Sequence, residues 1–322
     1  MKPILKVENL NVNLINTGLA IPVLLDISFE IYEEEILALA GESGSGKSLT
    51  AMALTRILPN HVFEFHSGKI LYGEKDLLRE EVSNLQKIRG KEISYIFQDP
   101  FTSLNPLKKI KDQMLEGFLL HISKNKKEGL EKAEYLLSRV GITDLKQRLN
   151  SYPKELSGGM LQRVAIAMAL MCDPKLLIAD EPTSALDVTV QAGLVGLLTE
   201  LRKETKMSML FISHDLGLVA ALADRIAILY AGEIVEVGNT NLVIENPKHP
   251  YTMGLIESVT SSSLIEKQFK GISGTVPTPA NFPNYCHFAD RCEKAFEPCK
   301  KSKPEFYRID DTRMSRCFLE KR

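Results

Sequence analysis

Gly41-Glu42-Ser43-Gly44-Ser45-Gly46-Lys47-Ser48 fills every fixed position of the pattern G-x-x-x-x-G-K-[ST]. The apolar run Ile36-Leu37-Ala38-Leu39-Ala40 precedes it as a strand, and Ser48-Leu49-Thr50-Ala51-Met52-Ala53-Leu54 follows as a helix-like run. That strand–loop–helix context separates a phosphate-cradling loop from the bland alternative, a glycine-rich turn capped by serine. Glycines let the backbone turn its N–H groups inward into an anion-binding nest. The helix N-terminus adds only roughly 0.3–1 kcal/mol per charge when exposed. Holding a nucleoside triphosphate therefore also needs the fixed cation of Lys47 and a magnesium ion, for which the Ser48 hydroxyl is the predicted ligand. The predicted stretch for ATP or GTP is Gly41, Glu42, Ser43, Gly44, Ser45, Gly46, Lys47, Ser48 and Leu49.

Around this loop, 322 residues leave room for one large domain and a smaller one. A hydrophobic fraction of 44% and a charged fraction of 25% are those of an ordinary globular chain. The net charge of −1 argues against binding nucleic acid by broad phosphate neutralisation. The start, Met1-Lys2-Pro3-Ile4-Leu5-Lys6-Val7-Glu8, lacks the apolar core of a secretory signal. No uncharged apolar run approaches a membrane span; Val164 to Cys172 is among the longest. The expectation is a cytosolic chain, or one attached to a membrane only through partners. In a reducing compartment its five cysteines are not expected to form disulfides.

Ile4 to Ile31 alternates apolar and polar residues around turn signals at Asn16-Thr17-Gly18, which predicts antiparallel strands leading into the loop. Residues from about 101 to 157 look helical: Leu130, Ala133, Leu136, Leu137 and Val140 repeat at helical spacing, and Gly141 is placed to end that helix. Lys175-Leu176-Leu177-Ile178-Ala179-Asp180 is a buried-strand pattern. Asp187 is placed to cap a helix with the apolar face Val190, Leu194, Leu197, Leu198 and Leu201. Met209-Leu210-Phe211-Ile212-Ser213 predicts another core strand, running into His214. Arg225–Tyr230 and Glu233–Val237, joined at Ala231-Gly232, predict a closing hairpin. Strands alternating with helices imply an α/β fold with a mostly parallel sheet covered on both faces. No internal repeat is visible. Near Ile256 the texture shifts to serine-rich, then proline-rich and cysteine-bearing sequence, so the boundary is placed between 1–256 and 257–322.

Two further turns carry chemistry. Leu177-Ile178-Ala179-Asp180-Glu181 is an apolar strand ending in two acids: Asp180 is suited to holding magnesium through water, and Glu181 to polarising an attacking water. In Leu156-Ser157-Gly158-Gly159-Met160-Leu161-Gln162-Arg163, Ser157 is placed to cap a second helix while Gly158 and Gly159 expose its N–H groups. That is an anion site without its own lysine. One chain thus carries two incomplete phosphate sites, which two chains facing head to tail would complete.

The order GESGSGKS, FQDPFTSLNP, LSGGMLQR, LLIADEPTSALD and ISHD resembles the ATP-binding subunit of ABC transporters over roughly Ile4 to Val237. The resemblance implies a P-loop NTPase core with an N-terminal antiparallel β-subdomain and a helical subdomain at about 101–157. It implies that Gln98 contacts magnesium and couples to membrane subunits. Ser157, Gly158 and Gly159 would cap ATP bound to the partner chain, Asp187 would be the D-loop aspartate, and His214 the switch histidine touching the γ-phosphate. Leu14 stands where the family usually stacks adenine on an aromatic. Phe97-Gln98-Asp99-Pro100-Phe101-Thr102-Ser103-Leu104-Asn105-Pro106, Asn246-Pro247-Lys248-His249-Pro250-Tyr251-Thr252 and Val276-Pro277-Thr278-Pro279 narrow the match. They resemble the D-type subunits of bacterial oligopeptide and dipeptide importers, a group that includes nickel, metallophore and antimicrobial-peptide systems. This implies a sister F-type ATPase, two transmembrane permease subunits, an extracytoplasmic binding protein, a peripheral position on the cytoplasmic membrane face, and no nucleic acid. His249-Pro250-Tyr251 reads as a structural turn. A soluble ABC ATPase acting on ribosomes or DNA, and a non-hydrolysing regulatory subunit, are the competing readings.

The C-terminal cysteines are spaced Cys286-x5-Cys292-x6-Cys299-x17-Cys317. Four thiolates suit zinc or an iron–sulfur cluster; the absence of tight C-x2-4-C knuckles favours a [4Fe–4S] cluster over Zn2+. A similar arrangement in the importer D subunits implies the same cluster. Few long apolar runs occur in this tail, so a structural metal staple is expected, whose removal unfolds the tail before it disables the phosphate loop. Cys172, at the end of the apolar helix Val164–Met171, is expected in the core.

Overall fold

The computed structural model describes residues 2–183, 188–261 and 272–321. The chain forms two compact units, Met1–Arg79 with Phe211–Arg322, and Glu80–Leu210.

In the first unit, β1 (Pro3–Asn16) and β2 (Leu19–Tyr32) form the expected antiparallel hairpin, turning at Thr17 and Gly18 with φ of 46° and 83°. Each strand changes its buried parity part-way. Leu5 and Val7 face the core, then Leu10 and Val12; opposite them Leu24 gives way to Ile27, Phe29 and Ile31. The shift is a paired irregularity at Asn9 and Asp26, both left-handed (φ 46° and 49°), whose side chains join at 2.6 Å. After β3 (Ile36–Ala40) and α1 (Lys47–Leu54), β4 (Phe63–Tyr72) pairs with β1, and β5 (Lys75–Asp76) completes the antiparallel sheet. Gly68 is required in β4: its φ is +106°, and a Cβ there would lie 2.6 Å from Leu10 Cα.

The second unit holds α2 (Val82–Ile88), β6 (Ile93–Ile96), α3 (Pro100–Ser103), α4 (Ile110–His121), α5 (Lys126–Arg139), α6 (Leu145–Asn150), α7 (Gly158–Ala169), β7 (Leu176–Asp180) and α8 (Val188–Thr205). Strands β6 and β7 pair in parallel, and β7 is buried along its whole length. Asn125 caps α5 by accepting from the Lys127 and Glu128 amides. Ala133, Leu136, Leu137 and Val140 are buried as the helical spacing predicts. Gly141 (φ 75°) ends that helix, with the Ile142 amide donating to the Leu137 carbonyl. Leu194, Leu198 and Leu201 form the buried stripe of α8. Asp187, expected to cap it, lies outside the described residues. Cys172 is buried, just beyond the end of α7.

The chain re-enters the first unit within β8 (Ser208–Ile212), followed by α9 (Leu216–Leu222), β9 (Arg225–Tyr230), β10 (Glu233–Asn239), α10 (Thr240–Glu245) and α11 (Pro250–Ser261). Strand β3 pairs with β9 in parallel. The β9–β10 hairpin is antiparallel, because Ala231 and Gly232 are both left-handed (φ 45° and 78°) and reverse the chain in two residues. Residues 272–321 are mostly irregular, but β11 (Tyr307–Arg308) and β12 (Met314–Ser315) extend the sheet from β10. The sheet of this unit is therefore mixed, where the strand–helix alternation pointed to mostly parallel pairing. Arg316 donates to the Ile234 carbonyl at 3.2 Å and to Asp26 at 2.8 Å; Arg313 reaches the Leu242 and Asn246 carbonyls, each at 3.1 Å. The C-terminal segment thus shares a compact unit with the glycine-rich loop. Among the described residues no helix is long and apolar enough to cross a membrane.

Candidate active site

In the first unit, β3 is wholly buried and delivers the chain to Gly41. Gly41, Gly44 and Gly46 have φ of 152°, 77° and 108°. A Cβ on Gly41 would meet the Leu229 carbonyl oxygen at 2.1 Å, so only glycine lets the loop lie against β9. Helix α1 begins at Lys47. The Lys47 ammonium is buried and donates to the Gly41 and Glu42 carbonyls at 2.9 and 3.0 Å, which holds the cation across the loop. The Ser45 hydroxyl is buried without a hydrogen-bond partner among the described residues. A glycine-built concavity holding a buried ammonium and an unsatisfied hydroxyl fits a phosphate group.

The loop is braced from outside. The Gly232 amide donates to the Ser45 carbonyl at 2.9 Å, and the Glu42 amide donates to Tyr251 Oη at 2.8 Å. Arg291 grips the Glu42 carboxylate with both terminal nitrogens, at 2.7 and 3.1 Å. Neither Tyr251 nor Arg291 stood out as a site residue in the sequence. The histidine predicted as a γ-phosphate contact, His214, is exposed between β8 and α9. Its neighbour Asp215 caps α9 through the Gly217 and Leu218 amides, and the Asp215 amide donates to Ser213 Oγ.

In the second unit, β7 ends at Asp180, which is buried and accepts a hydrogen bond from Tyr95 Oη at 2.9 Å. Burial, then the Asp180 charge, holds the Tyr95 phenol well above its ordinary pKa, so it remains a donor. Glu181 has a left-handed backbone (φ 45°), the kind of outlier that clusters at reacting groups. Its Oε2 accepts from Gln98 Nε2 at 3.0 Å. Two residues predicted separately, Gln98 and Glu181, are thus brought together. Tyr95 was missed; a tyrosine in a short strand carries no local signal of function. Ser157 caps α7 by accepting from the Met160 amide at 3.3 Å, with Gly158 and Gly159 in its first turn, partly exposed. That helix N-terminus can take an anion.

The four C-terminal cysteines line one cavity, together with His249 and Phe288. The Cys286 amide donates to the Cys299 carbonyl at 3.2 Å, and no disulfide joins the cysteines. Burial first, with smaller contributions from neighbouring thiols, pushes Cys286 up to about 12 and Cys317 up to about 11. A metal taken here must therefore displace protons. Among the described residues no three His, Cys, Asp or Glu side chains are arranged to hold one metal ion. Four cysteine thiols lining one cavity are the residue types that a polynuclear cluster would take as ligands.

The ABC transporter family signature matches residues 24–184, and the oligopeptide/dipeptide transporter C-terminal region matches residues 235–299. The dipeptide transport ATP-binding protein DppD of Bacillus subtilis is 41% identical over 320 residues, covering 99% of this chain and 96% of that one. The oligopeptide transport ATP-binding protein OppD of the same organism is 42% identical, covering 98% and 88%. Among solved structures, the ATP-binding cassette MJ0796, described as dimeric in a post-hydrolysis state with ADP and Pi, is similar with a TM-score of 0.66. It is 26% identical and covers 73% of this chain and 98% of its own. With loop, acids and signature turn in place and identity running the length of the chain, the protein belongs to the ABC transporter ATPases that carry the oligopeptide/dipeptide transporter C-terminal region.

Proposed function

We propose that the chain is the ATP-hydrolysing subunit of a peptide importer, seated on the cytoplasmic face of the membrane. The observation that carries this reading is the joining of a complete ATPase motif set to the oligopeptide/dipeptide C-terminal region in one chain. Lys47 and the glycine-rich loop bind the triphosphate, with Ser48, Asp180 and Gln98 serving its magnesium ion. Glu181 polarises the attacking water, and His214 contacts the γ-phosphate. Ser157, Gly158 and Gly159 cap ATP held by a second ATPase subunit, and Asp187 serves the same junction. A helix N-terminus without its own lysine supports that division of labour. The partners are a sister F-type ATPase, two permease subunits and an extracytoplasmic binding protein. The Cys286, Cys292, Cys299 and Cys317 thiolates hold a structural [4Fe–4S] cluster within the segment 257–322; four cysteines on one cavity support it.

The test is uptake of a labelled dipeptide into proteoliposomes containing the chain, its co-expressed permeases and the binding protein. ATP-dependent uptake that falls at least tenfold with Lys47→Ala is the expected result. ATP-dependent uptake of nickel or a metal chelate in place of peptide, or co-purification with ribosomes and no permease, contradicts the reading.

A further inference from the structure

Arg291 spends its whole guanidinium fork on three parts of the molecule. Nε donates to the Ser273 carbonyl at 2.9 Å, Nη1 to Glu42 Oε2 at 2.7 Å and to Tyr230 Oη at 3.3 Å, and Nη2 to Glu42 Oε1 at 3.1 Å and to the Ile272 carbonyl at 3.3 Å. Its side chain is only 7% exposed, against 27% for Glu42, so the guanidinium is buried while the carboxylate keeps some contact with solvent. The guanidinium also lies over the rings of Tyr230 and Phe288, at 5.6 and 5.9 Å. Those rings pack on Tyr251, whose hydroxyl accepts the Glu42 amide. A second route reaches the same loop: His287 Nδ1 lies 2.9 Å from the Ala231 carbonyl, and the adjacent Gly232 amide donates to the Ser45 carbonyl.

From this convergence we infer that Arg291 is a positioning residue for ATP binding: by clamping Glu42 it fixes the phosphate loop, and the C-terminal segment serves as the brace of that loop. A long, flexible loop side chain would otherwise be free to move with its backbone. A bidentate bond to a planar, packed guanidinium removes that freedom before nucleotide arrives. The loop then presents its amides and Lys47 already placed, which strengthens ATP binding without altering the reacting atoms.

The inference rests on the loop being the ATP site, and the test separates the two. In the full chain co-purified with its partner subunits, the dissociation constant for Mg–ATP and the KM and kcat of hydrolysis are measured for Arg291→Ala, Arg291→Lys, Glu42→Gln and the Arg291→Ala/Glu42→Gln pair. Arg291→Ala and Glu42→Gln are each expected to raise Kd and KM about tenfold, with kcat changed far less, and the double variant to be no worse than either single one. Lysine, a point charge without the fork, should restore only part of the affinity. Glu42→Gln alters no residue of the C-terminal segment and so reads the clamp even if Arg291→Ala unfolds the tail. An unchanged Kd in Glu42→Gln and Arg291→Lys, or additive losses in the double variant, overturns the inference. Absence of ATP binding in the unaltered chain would instead overturn the assignment of the loop.

Discussion

Glu181→Gln is expected to lower steady-state ATP hydrolysis by about two to four orders of magnitude while leaving ATP binding within a few-fold of the unaltered protein. The substitution keeps the shape and hydrogen-bonding reach of the side chain, which accepts from Gln98 at 3.0 Å, but removes the carboxylate proposed to polarise water. Glu181 follows β7 with a left-handed backbone, φ 45°, and glutamine inherits that backbone. Phosphate release and equilibrium ATP binding, measured on the same preparation, separate the two effects. Turnover that survives the substitution would assign the water-activating role elsewhere and revive a regulatory, non-hydrolysing reading.

Substitution of the clustered cysteines has the second large expected effect. The unaltered chain, purified without oxygen, is expected to carry about four iron atoms; Cys286→Ser or Cys292→Ser should bring this below one and expose the 272–300 region to protease. This region has only short 3-10 turns, so little regular hydrogen bonding would hold it without the proposed cluster. Cleavage should begin there before it reaches Met314–Ser315, which stays paired to β10. Because Arg291 immediately precedes Cys292 and grips Glu42, the damage is expected to spread to the phosphate loop as weaker ATP binding. Taken from the sequence alone, tail and loop looked separable. An iron-free preparation whose tail resists protease equally in both Cys→Ser variants would remove the staple from the account.

Much of the nucleotide machinery was legible because it is local. The strand, loop and helix from Ile36 to Leu54 occupy adjacent residues, and the positive φ at Gly41, Gly44 and Gly46 is what their glycines announce. Ser157 and Gly141 likewise sit at the helix ends their residue types favour. The brace was not legible, because Arg291 and Glu42 lie 249 positions apart and an arginine among other charged residues carries no signal. Tyr95 meets Asp180 across 85 positions for the same reason. The parity change in β1 was hidden too: alternation predicts faces only until a bulge at a residue such as Asn9 shifts them. Nor did the change in texture near Ile256 disclose that β12 returns to pair with β10, which draws the C-terminal segment into the unit holding the loop.

The central claim is that ATP is hydrolysed in a chamber completed by a second ATPase subunit, and its most direct measurement is turnover per molecule across a dilution series, with mass measured at each concentration. The account predicts that specific activity falls steeply as the protein becomes monomeric and returns when the partner ATPase is added in excess. Constant turnover by a monomer at every dilution would contradict it.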